Sequence, residues 1–244
     1  MLRRLSLYAS FVRLGHSVFA LPFALVGALL AARQTPLTLA RVGWIIAAMV
    51  TARTAAMGFN RLVDARFDAL NPRTENRELP RGALSTRDAV ALVVVASLGF
   101  VLVTTQLGRL CLWLSPVALG IVFWYSLAKR FTTYTQMFLG LALAVAPVGG
   151  WLAAGGGAGV EPWLLALATG TWVAGFDIFY ACQDLEFDRI HGLNSIPARF
   201  GVRRSLSIAR WLHLATVIAL ASVALVTPLS GWYLAGVAGV GLLL

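Results

Sequence analysis

The sequence contains few charged residues and few cysteines. Only 12% of its 244 residues are charged, whereas about a quarter of the residues of an ordinary soluble domain are charged. Together with a hydrophobic content of 59%, this scarcity argues against a cytosolic globular enzyme and against a disordered chain. The two cysteines, Cys111 and Cys182, lie singly within apolar stretches, so neither a disulfide framework nor a zinc site is predicted.

Basic residues outnumber acidic ones. The chain has 20 Lys and Arg residues against 10 Asp and Glu residues, which gives a formal net charge of +10. In a soluble chain this excess would suggest binding to nucleic acid. In a chain this apolar it favours basic loops that face an anionic membrane surface. We therefore expect membrane lipid, and no nucleic acid, among the partners of the protein.

Eight apolar runs approach or reach the length that crosses a bilayer. They cover residues 15–32, 42–58, 88–107, 110–127, 135–154, 163–183, 207–227 and 231–244. The last of these runs is short of a full span. The sequence predicts an all-α fold, a multi-pass transmembrane helical bundle.

The connections between the runs differ in charge. With the N-terminus on the inner side, Arg33, Arg41 and Arg109 fall in outer connections and Arg53 falls within a span, while the other basic residues lie on the inner side. By the positive-inside rule, this inner side is the cytoplasm.

Six of the ten acidic residues fall in two clusters at the cytoplasmic ends of apolar runs. Asn60, Asp64 and Asp68 are spaced by four residues and would share one face of a helix. Asp177, Tyr180, Asp184 and Asp188 advance by three, four and four, so the second cluster repeats this geometry. Two acidic stripes are therefore predicted on the same side of the membrane.

Carboxylates one helical turn apart repel each other, so each stripe needs a cation. One interpretation is that both are solvated helix ends, with Arg61, Arg66 and Arg189 pairing the acids. The interpretation we prefer is Mg²⁺, held by Asn60, Asp64, Asp68, Asp184 and Asp188, because carboxylate and amide oxygens suit this ion. Its natural ligand is a diphosphate. The basic residues predicted to contact the outer phosphate oxygens are Arg73, Arg77, Lys129 and Arg130.

These motifs resemble those of the UbiA superfamily of intramembrane polyprenyltransferases. The first motif of the family, NxxxDxxxD followed by a basic stretch, matches residues 60–68 and 73–82, and its second motif, DxxYxxxDxxxD, matches 177–188. Tyr125 with the basic pair that follows it, and the segment 192–201, also fit the family. The resemblance implies one domain over residues 1–244, with helices around a central cavity open to the cytoplasmic side. Family members typically have nine helices, so a ninth is expected to be missing at the C-terminus.

The resemblance also implies a function. The run at residues 19–25 is most similar to the 4-hydroxybenzoate branch, whose members transfer a polyprenyl group from polyprenyl diphosphate to an aromatic acid in quinone biosynthesis, in the bacterial inner membrane. A dihydroxynaphthoate prenyltransferase of menaquinone biosynthesis is the alternative within the family. Two other classes stay open: a membrane terpene cyclase using the same metal chemistry, and a transporter or ion pathway, since intramembrane acids also mark cation routes.

The aromatic acceptor needs its own contacts. Arg53 lies about two turns before Asn60 on the same face and is predicted to bind the acceptor carboxylate, although it could instead balance the charge of Asp177. Asp177 and Tyr180 are predicted to orient the acceptor hydroxyl or take its proton. Tyr125 is expected to contact the acceptor as well.

Overall fold

The computed structural model describes residues 2–244, and the side chains of residues 6–13 and 19–244. This part of the chain is all-helical, with no strand. Its helices are α1 (Leu2–Phe11), α2 (Leu14–Ala31), α3 (Leu39–Asp68), α4 (Thr86–Leu107), α5 (Arg109–Ala128), α6 (Thr135–Ala153), α7 (Glu161–Gln183), α8 (Leu185–Ile190), α9 (Ile196–Val226) and α10 (Gly231–Leu243). The predicted fold class is confirmed, and each of the eight apolar runs coincides with a helix.

Six of these helices, α3 to α7 and α9, are long and apolar enough to cross a membrane. The segments 19–31 and 231–243 are shorter apolar helices. Several bulky apolar side chains lie on the outside, among them Trp113 (77% exposed), Leu225 (86%) and Trp232 (87%). Apolar residues this exposed suit a surface that faces lipid.

The two helices that the apolar runs do not predict are α1 and α8. Each is short and carries charged residues, α1 with the sequence LRRLSLYASF and α8 with LEFDRI. A search for long apolar windows cannot detect helices of this kind.

Polar side chains cap the N-termini of three of the long helices. The hydroxyl of Thr38 accepts a hydrogen bond from the backbone N of Arg41 (3.2 Å) at the start of α3, and Ser85 accepts one from Asp88 N (3.1 Å) at the start of α4. Ser195 accepts one from Ala198 N (3.3 Å) at the start of α9. Such N-caps satisfy backbone donors that have no partner within the helix.

The chain forms two compact units. The first comprises Met1–Pro22 and Leu37–Ser126, and the second comprises Phe23–Pro36 and Leu127–Leu244. In the first unit α3 packs along α4. A small apolar core beside them contains Phe11 and Val12 of α1, with Leu84 and Ala89.

In the second unit α7 packs between α6 and α9, and α10 packs on α9. Glycines bring these helices close together. A Cβ at Gly140 of α6 would overlap the carbonyl oxygen of Gly170 of α7, and one at Gly175 would overlap the ring of His213 of α9. Small residues of this kind let helix backbones approach closely, as is typical of membrane helices.

Candidate functional site

The first acidic motif lies at the end of α3. This helix continues past the apolar run as far as Asp68, so Asn60, Asp64 and Asp68 follow one another along one face, as their spacing predicts. Both carboxylates are buried, with Asp64 6% and Asp68 7% exposed. The side-chain amide of Asn60 donates a hydrogen bond to Oδ2 of Asp64 (3.3 Å). The motif is therefore a buried set of oxygen atoms at the end of a membrane-spanning helix.

The connection between α3 and α4 folds back over Asp68. Nη1 of Arg77 donates to Oδ1 and Oδ2 of Asp68 at 2.7 and 2.8 Å. The hydroxyl of the buried Thr74 donates to the carbonyl oxygen of Asp68 (3.0 Å). Arg73, whose backbone N donates to the side chain of Asn71 (2.9 Å), is exposed. Two of the predicted phosphate-binding arginines therefore lie in the segment that covers the first motif.

Glu78 is a buried acid in this connection that sequence reasoning missed. It is 7% exposed and accepts a hydrogen bond from the hydroxyl of Ser10 (2.6 Å). Burial raises its pKa, but the hydrogen bonds from Ser10 and from its own backbone, with the charges of Arg61 and Arg81, outweigh burial and lower the pKa below its ordinary value. The basic stretch at residues 73–82 contains two acids, Glu75 and Glu78, and the sequence carries no signal that distinguishes the buried one.

The second motif differs from the continuous helix that its spacing indicates. Helix α7 carries Asp177 and Tyr180 and ends at Gln183, Asp184 lies at the junction, and α8 carries Asp188. The backbone N of Asp188 still donates to the carbonyl oxygen of Asp184 (2.8 Å), so the chain resumes a helical turn at once. Asp177 interacts electrostatically with Asp184 and with Lys129.

A tight loop after α8 holds Asp188 in place. The buried hydroxyl of Ser195 donates to Oδ2 of Asp188 (2.8 Å), and the backbone N of Leu193 donates to the carbonyl oxygen of Asp188 (2.8 Å). The chain turns at Gly192, where φ is +65°, a conformation that glycine adopts without strain. Ser195 lies in the segment 192–201 that resembles the family, but nothing in the sequence assigns it a role.

The basic pair after α5 lies beside this loop. Asn194 donates to the carbonyl oxygen of Lys129 through its backbone N (2.8 Å) and through its side-chain amide (3.3 Å). Both Lys129 and Arg130 are half-buried. The second motif and the basic pair are therefore tied together within one unit.

The predicted acceptor residues lie on three helices. In the first unit, Arg53 and Tyr125 are half-buried on α3 and α5. Nε of Arg53 is buried, with no hydrogen-bond partner in the described part of the chain. In the second unit, Asp177 is half-buried on α7, and Tyr180 is 60% exposed with its ring edge-on to Phe176 at 6.2 Å between centroids.

No group of three His, Cys, Asp or Glu side chains converges within either unit, as far as the described residues show. The carboxylates of the first motif are instead spread along the end of α3. Those of the second lie on α7, at the junction and on α8.

Comparison with known proteins supports the resemblance noted above. The sequence model of the UbiA prenyltransferase family matches residues 20–244. Over 186 residues, 76% of this chain and 64% of the relative, the chain is 36% identical to a 4-hydroxybenzoate octaprenyltransferase of Edwardsiella ictaluri. The chain thus matches somewhat less than two thirds of that relative's length.

Solved structures show the same fold. A UbiA homolog from Aeropyrum pernix K1, solved in its apo form, is 38% identical and superposes with a TM-score of 0.87, covering 93% of this chain and 85% of that one. A UbiA homolog from Archaeoglobus fulgidus bound to DMAPP and Mg²⁺ is 21% identical, with a TM-score of 0.78 over 96% of this chain and 83% of that one. The protein is an integral membrane protein, and its chain belongs to the UbiA prenyltransferase family.

Proposed function

We propose that this protein transfers a polyprenyl group from polyprenyl diphosphate to 4-hydroxybenzoate in respiratory quinone biosynthesis. The observation that carries the proposal is the pair of buried carboxylates, Asp64 and Asp68, at the end of a membrane-spanning helix, with Arg77 folded onto one of them. A substrate with an apolar chain and a highly charged head matches this combination. The choice of 4-hydroxybenzoate as the acceptor is supported by the Edwardsiella ictaluri relative, which is named a 4-hydroxybenzoate octaprenyltransferase.

The donor set fits Mg²⁺. The side chains proposed to hold it, Asn60, Asp64 and Asp68 in the first motif and Asp184 and Asp188 in the second, offer only oxygen ligands, which Mg²⁺ prefers. The Archaeoglobus fulgidus homolog was solved with this ion and DMAPP. When bound, Mg²⁺ neutralises the diphosphate and makes it a better leaving group.

The basic residues proposed to bind the diphosphate are Arg73, Arg77, Lys129 and Arg130. Arg73 and Arg77 lie in the connection after α3, and Lys129 and Arg130 lie in the connection after α5. Guanidinium groups form strong charge-assisted bonds to phosphate oxygens. As the bond between C1 of the prenyl chain and oxygen breaks, these cations stabilise the charge that gathers on the departing diphosphate.

The remaining site residues are proposed to bind and orient the aromatic acceptor. The allylic cation left on the prenyl chain is attacked by the electron-rich ring of 4-hydroxybenzoate, a carbon–carbon bond forms, and the ring loses a proton to regain aromaticity. Arg53 would bind the acceptor carboxylate, because its buried Nε has no partner in the described part of the protein. Asp177 and Tyr180 would orient the hydroxyl or accept its proton, and Tyr125 would contact the ring.

The distribution of basic residues supports an orientation in which both acidic motifs face the cytoplasm. The membrane we propose is the bacterial inner membrane, where polyprenyl chains and quinones dissolve.

Acceptor dependence tests the function. Membranes containing the protein are incubated with labelled polyprenyl diphosphate and Mg²⁺, with 4-hydroxybenzoate, with dihydroxynaphthoate, or with no acceptor. We expect product only with 4-hydroxybenzoate. Product with the naphthoate alone would move the protein to menaquinone biosynthesis, acceptor-free hydrocarbon would indicate a cyclase, and absence of any turnover would contradict a transferase.

Single substitutions test the metal site. Asp64→Asn and Asp184→Asn should each lower turnover by about 100-fold or more, because each removes a charge that stabilises the departing diphosphate through the ion. Glu186→Gln is the matched control, since Glu186 is exposed on α8 beside Asp184, and it should leave turnover unchanged. Turnover of Asp64→Asn within a few-fold of the parent would show the metal assignment to be wrong.

Arg53→Ala tests the acceptor site. The KM for 4-hydroxybenzoate should rise by about tenfold or more, as expected for loss of a charged hydrogen bond, while the KM for polyprenyl diphosphate stays unchanged. The opposite pattern would assign Arg53 to the diphosphate.

A further inference from the structure

Arg61 is a buried arginine in the first motif. The sequence gives it a role only in the alternative interpretation, where it pairs with the acids, and the proposed function gives it none. It lies on α3, three residues before Asp64 and seven before Asp68, which places it on the same helix face as both acids. Its side chain is 5% exposed. It is therefore as deeply buried as the carboxylates that it accompanies.

Two of the three guanidinium nitrogens of Arg61, Nε and Nη1, lack a hydrogen-bond partner among the described residues. Arginine stays charged at any physiological pH, so it cannot relieve this cost by losing its proton. A buried charged group that keeps two donors unused is costly, and such groups are normally paired.

The two acids that attract Arg61, Asp68 and Glu78, already have hydrogen-bonding partners. Asp68 accepts hydrogen bonds from Arg77 on both oxygens, and Glu78 accepts one from Ser10. Both acids attract Arg61 electrostatically, whereas Arg77 repels it. Two guanidinium groups close enough to repel, one of them with unused donors, are the arrangement that an additional anion would stabilise.

We propose that Arg61 binds a phosphate group, donating a hydrogen bond to one of its oxygen atoms from Nε or from Nη1. This inference rests on the proposed function, since a prenyl diphosphate supplies the phosphate. Helix α3 runs toward its cytoplasmic end at Asp68, so Arg61 lies deeper in the membrane than Asp64. It therefore binds the inner phosphate, the one bonded to the prenyl chain, while Arg73 and Arg77 bind the terminal phosphate.

Binding of two short ligands tests this position. The protein is reconstituted in nanodiscs of neutral lipid, and the dissociation constants of geranyl diphosphate and geranyl monophosphate are measured with Mg²⁺ present. Arg61→Gln should weaken both ligands by about 30-fold, as expected for the loss of a charged hydrogen bond. Arg77→Ala should weaken the diphosphate more than the monophosphate. Arg66→Gln, an exposed position on the same helix, is the matched control and should change neither.

Arg61→Lys distinguishes a loss of phosphate binding from a failure of Arg61→Gln to fold. Lysine keeps the buried charge and should recover part of the affinity, though not all, because an ammonium does not reproduce the planar, directional donors of a guanidinium. A purely structural Arg61 would give a lower melting temperature with unchanged dissociation constants in both variants, and that result would overturn the proposal.

A second series of nanodiscs distinguishes the source of the phosphate. If anionic phospholipid raises the melting temperature of the parent but not of Arg61→Gln, while geranyl diphosphate binds both equally, Arg61 binds a lipid headgroup and the assignment to the prenyl substrate is overturned. A parent that fails to bind geranyl diphosphate would overturn the proposed function together with this inference. A parent that binds it with an affinity unaffected by Arg61→Gln would overturn this inference alone.

Discussion

A single nitrogen of Arg77, Nη1, contacts both carboxylate oxygens of Asp68, at 2.7 and 2.8 Å. The pair is therefore a point-charge contact and not the two-pronged fork that arginine often forms with carboxylates. Asp68 is 7% exposed, so this contact gives a buried carboxylate an ion-pair partner. Arg77 is also proposed to bind the diphosphate, which means that Asp68 and the substrate share one cation.

Arg77→Ala should destabilise the protein as well as inactivate it. Removing the arginine leaves the buried carboxylate of Asp68 without its ion-pair partner, which should cost about 2 kcal/mol of folding free energy and lower the melting temperature by about 4–8 °C. Thermal unfolding in detergent measures this change.

Arg77→Lys is the informative comparison. Because one nitrogen makes both contacts, a lysine ammonium should restore most of the stability while turnover stays low, since lysine offers phosphate fewer donors. Equal melting temperatures for Arg77→Ala and the parent would show that the pair does not stabilise Asp68.

Ser195→Ala should loosen the second motif. The hydroxyl of Ser195 both caps α9, by accepting from Ala198 N, and donates to Asp188. Losing the cap should cost about 1 kcal/mol, and the less constrained Asp188 should raise the Mg²⁺ concentration needed for half-maximal turnover. Ser195→Thr keeps the hydroxyl and should preserve both properties.

A double-mutant cycle separates these two effects of Ser195. Combined with Asp188→Asn, the Ser195→Ala substitution should still lower the melting temperature but should no longer alter the response to Mg²⁺. An unchanged Mg²⁺ response in Ser195→Ala alone would indicate that the hydroxyl is only a helix cap.

The helices and the first stripe were predictable because local patterns determine them. Long apolar runs must form helices in a bilayer, and the spacing of Asn60, Asp64 and Asp68 on a continuous helix fixes their common face. The second stripe has the same spacing, yet the chain breaks helix α7 at Asp184. Spacing alone does not report such a break, because no glycine or proline marks it.

The hydrogen-bond partners of the site residues were not predictable for a different reason. Glu78 accepts a hydrogen bond from Ser10, and the carbonyl oxygen of Lys129 accepts one from Asn194. The residues of each pair are far apart in the sequence. Such pairs depend on how the connections fold over the helix ends, which neither periodicity nor residue type encodes. The two units also divide α2 between them, and the apolar pattern gives no sign of this boundary.

Glu78 predicts a dependence of stability on pH. Its pKa in the folded protein lies below the ordinary value of 4.5, so the unfolded chain binds the proton more readily. The stabilisation is therefore fully present above this ordinary value and is lost as the pH falls through the lower, folded pKa.

Ser10→Ala should remove part of this effect. At neutral pH it should destabilise the protein by about 1 kcal/mol, since a hydrogen bond to a charged group is lost. The difference from the parent should shrink once Glu78 is protonated, which melting curves between about pH 7 and about pH 3.5 measure. In a Glu78→Gln background the same substitution should have an effect independent of pH. A constant difference in the Glu78 background would mean that the Ser10 hydroxyl does not act through the carboxylate.

Two adjacent glycines of α6 test how closely the helices of the second unit pack. A Cβ at Gly150 would overlap the backbone carbonyl of Ala24 on α2, whereas a Cβ at Gly149 has no other atom within 4 Å. Backbone atoms cannot rotate away, so Gly150→Ala must push the two helices apart, at a cost of about 1–3 kcal/mol. Gly149→Ala should be neutral or stabilise the helix by up to about 1 kcal/mol, because alanine is the better helix former. Melting temperatures of the two variants in detergent should therefore move in opposite directions or differ by several degrees. If both variants melt together with the parent, α2 and α6 do not pack backbone to backbone at this position.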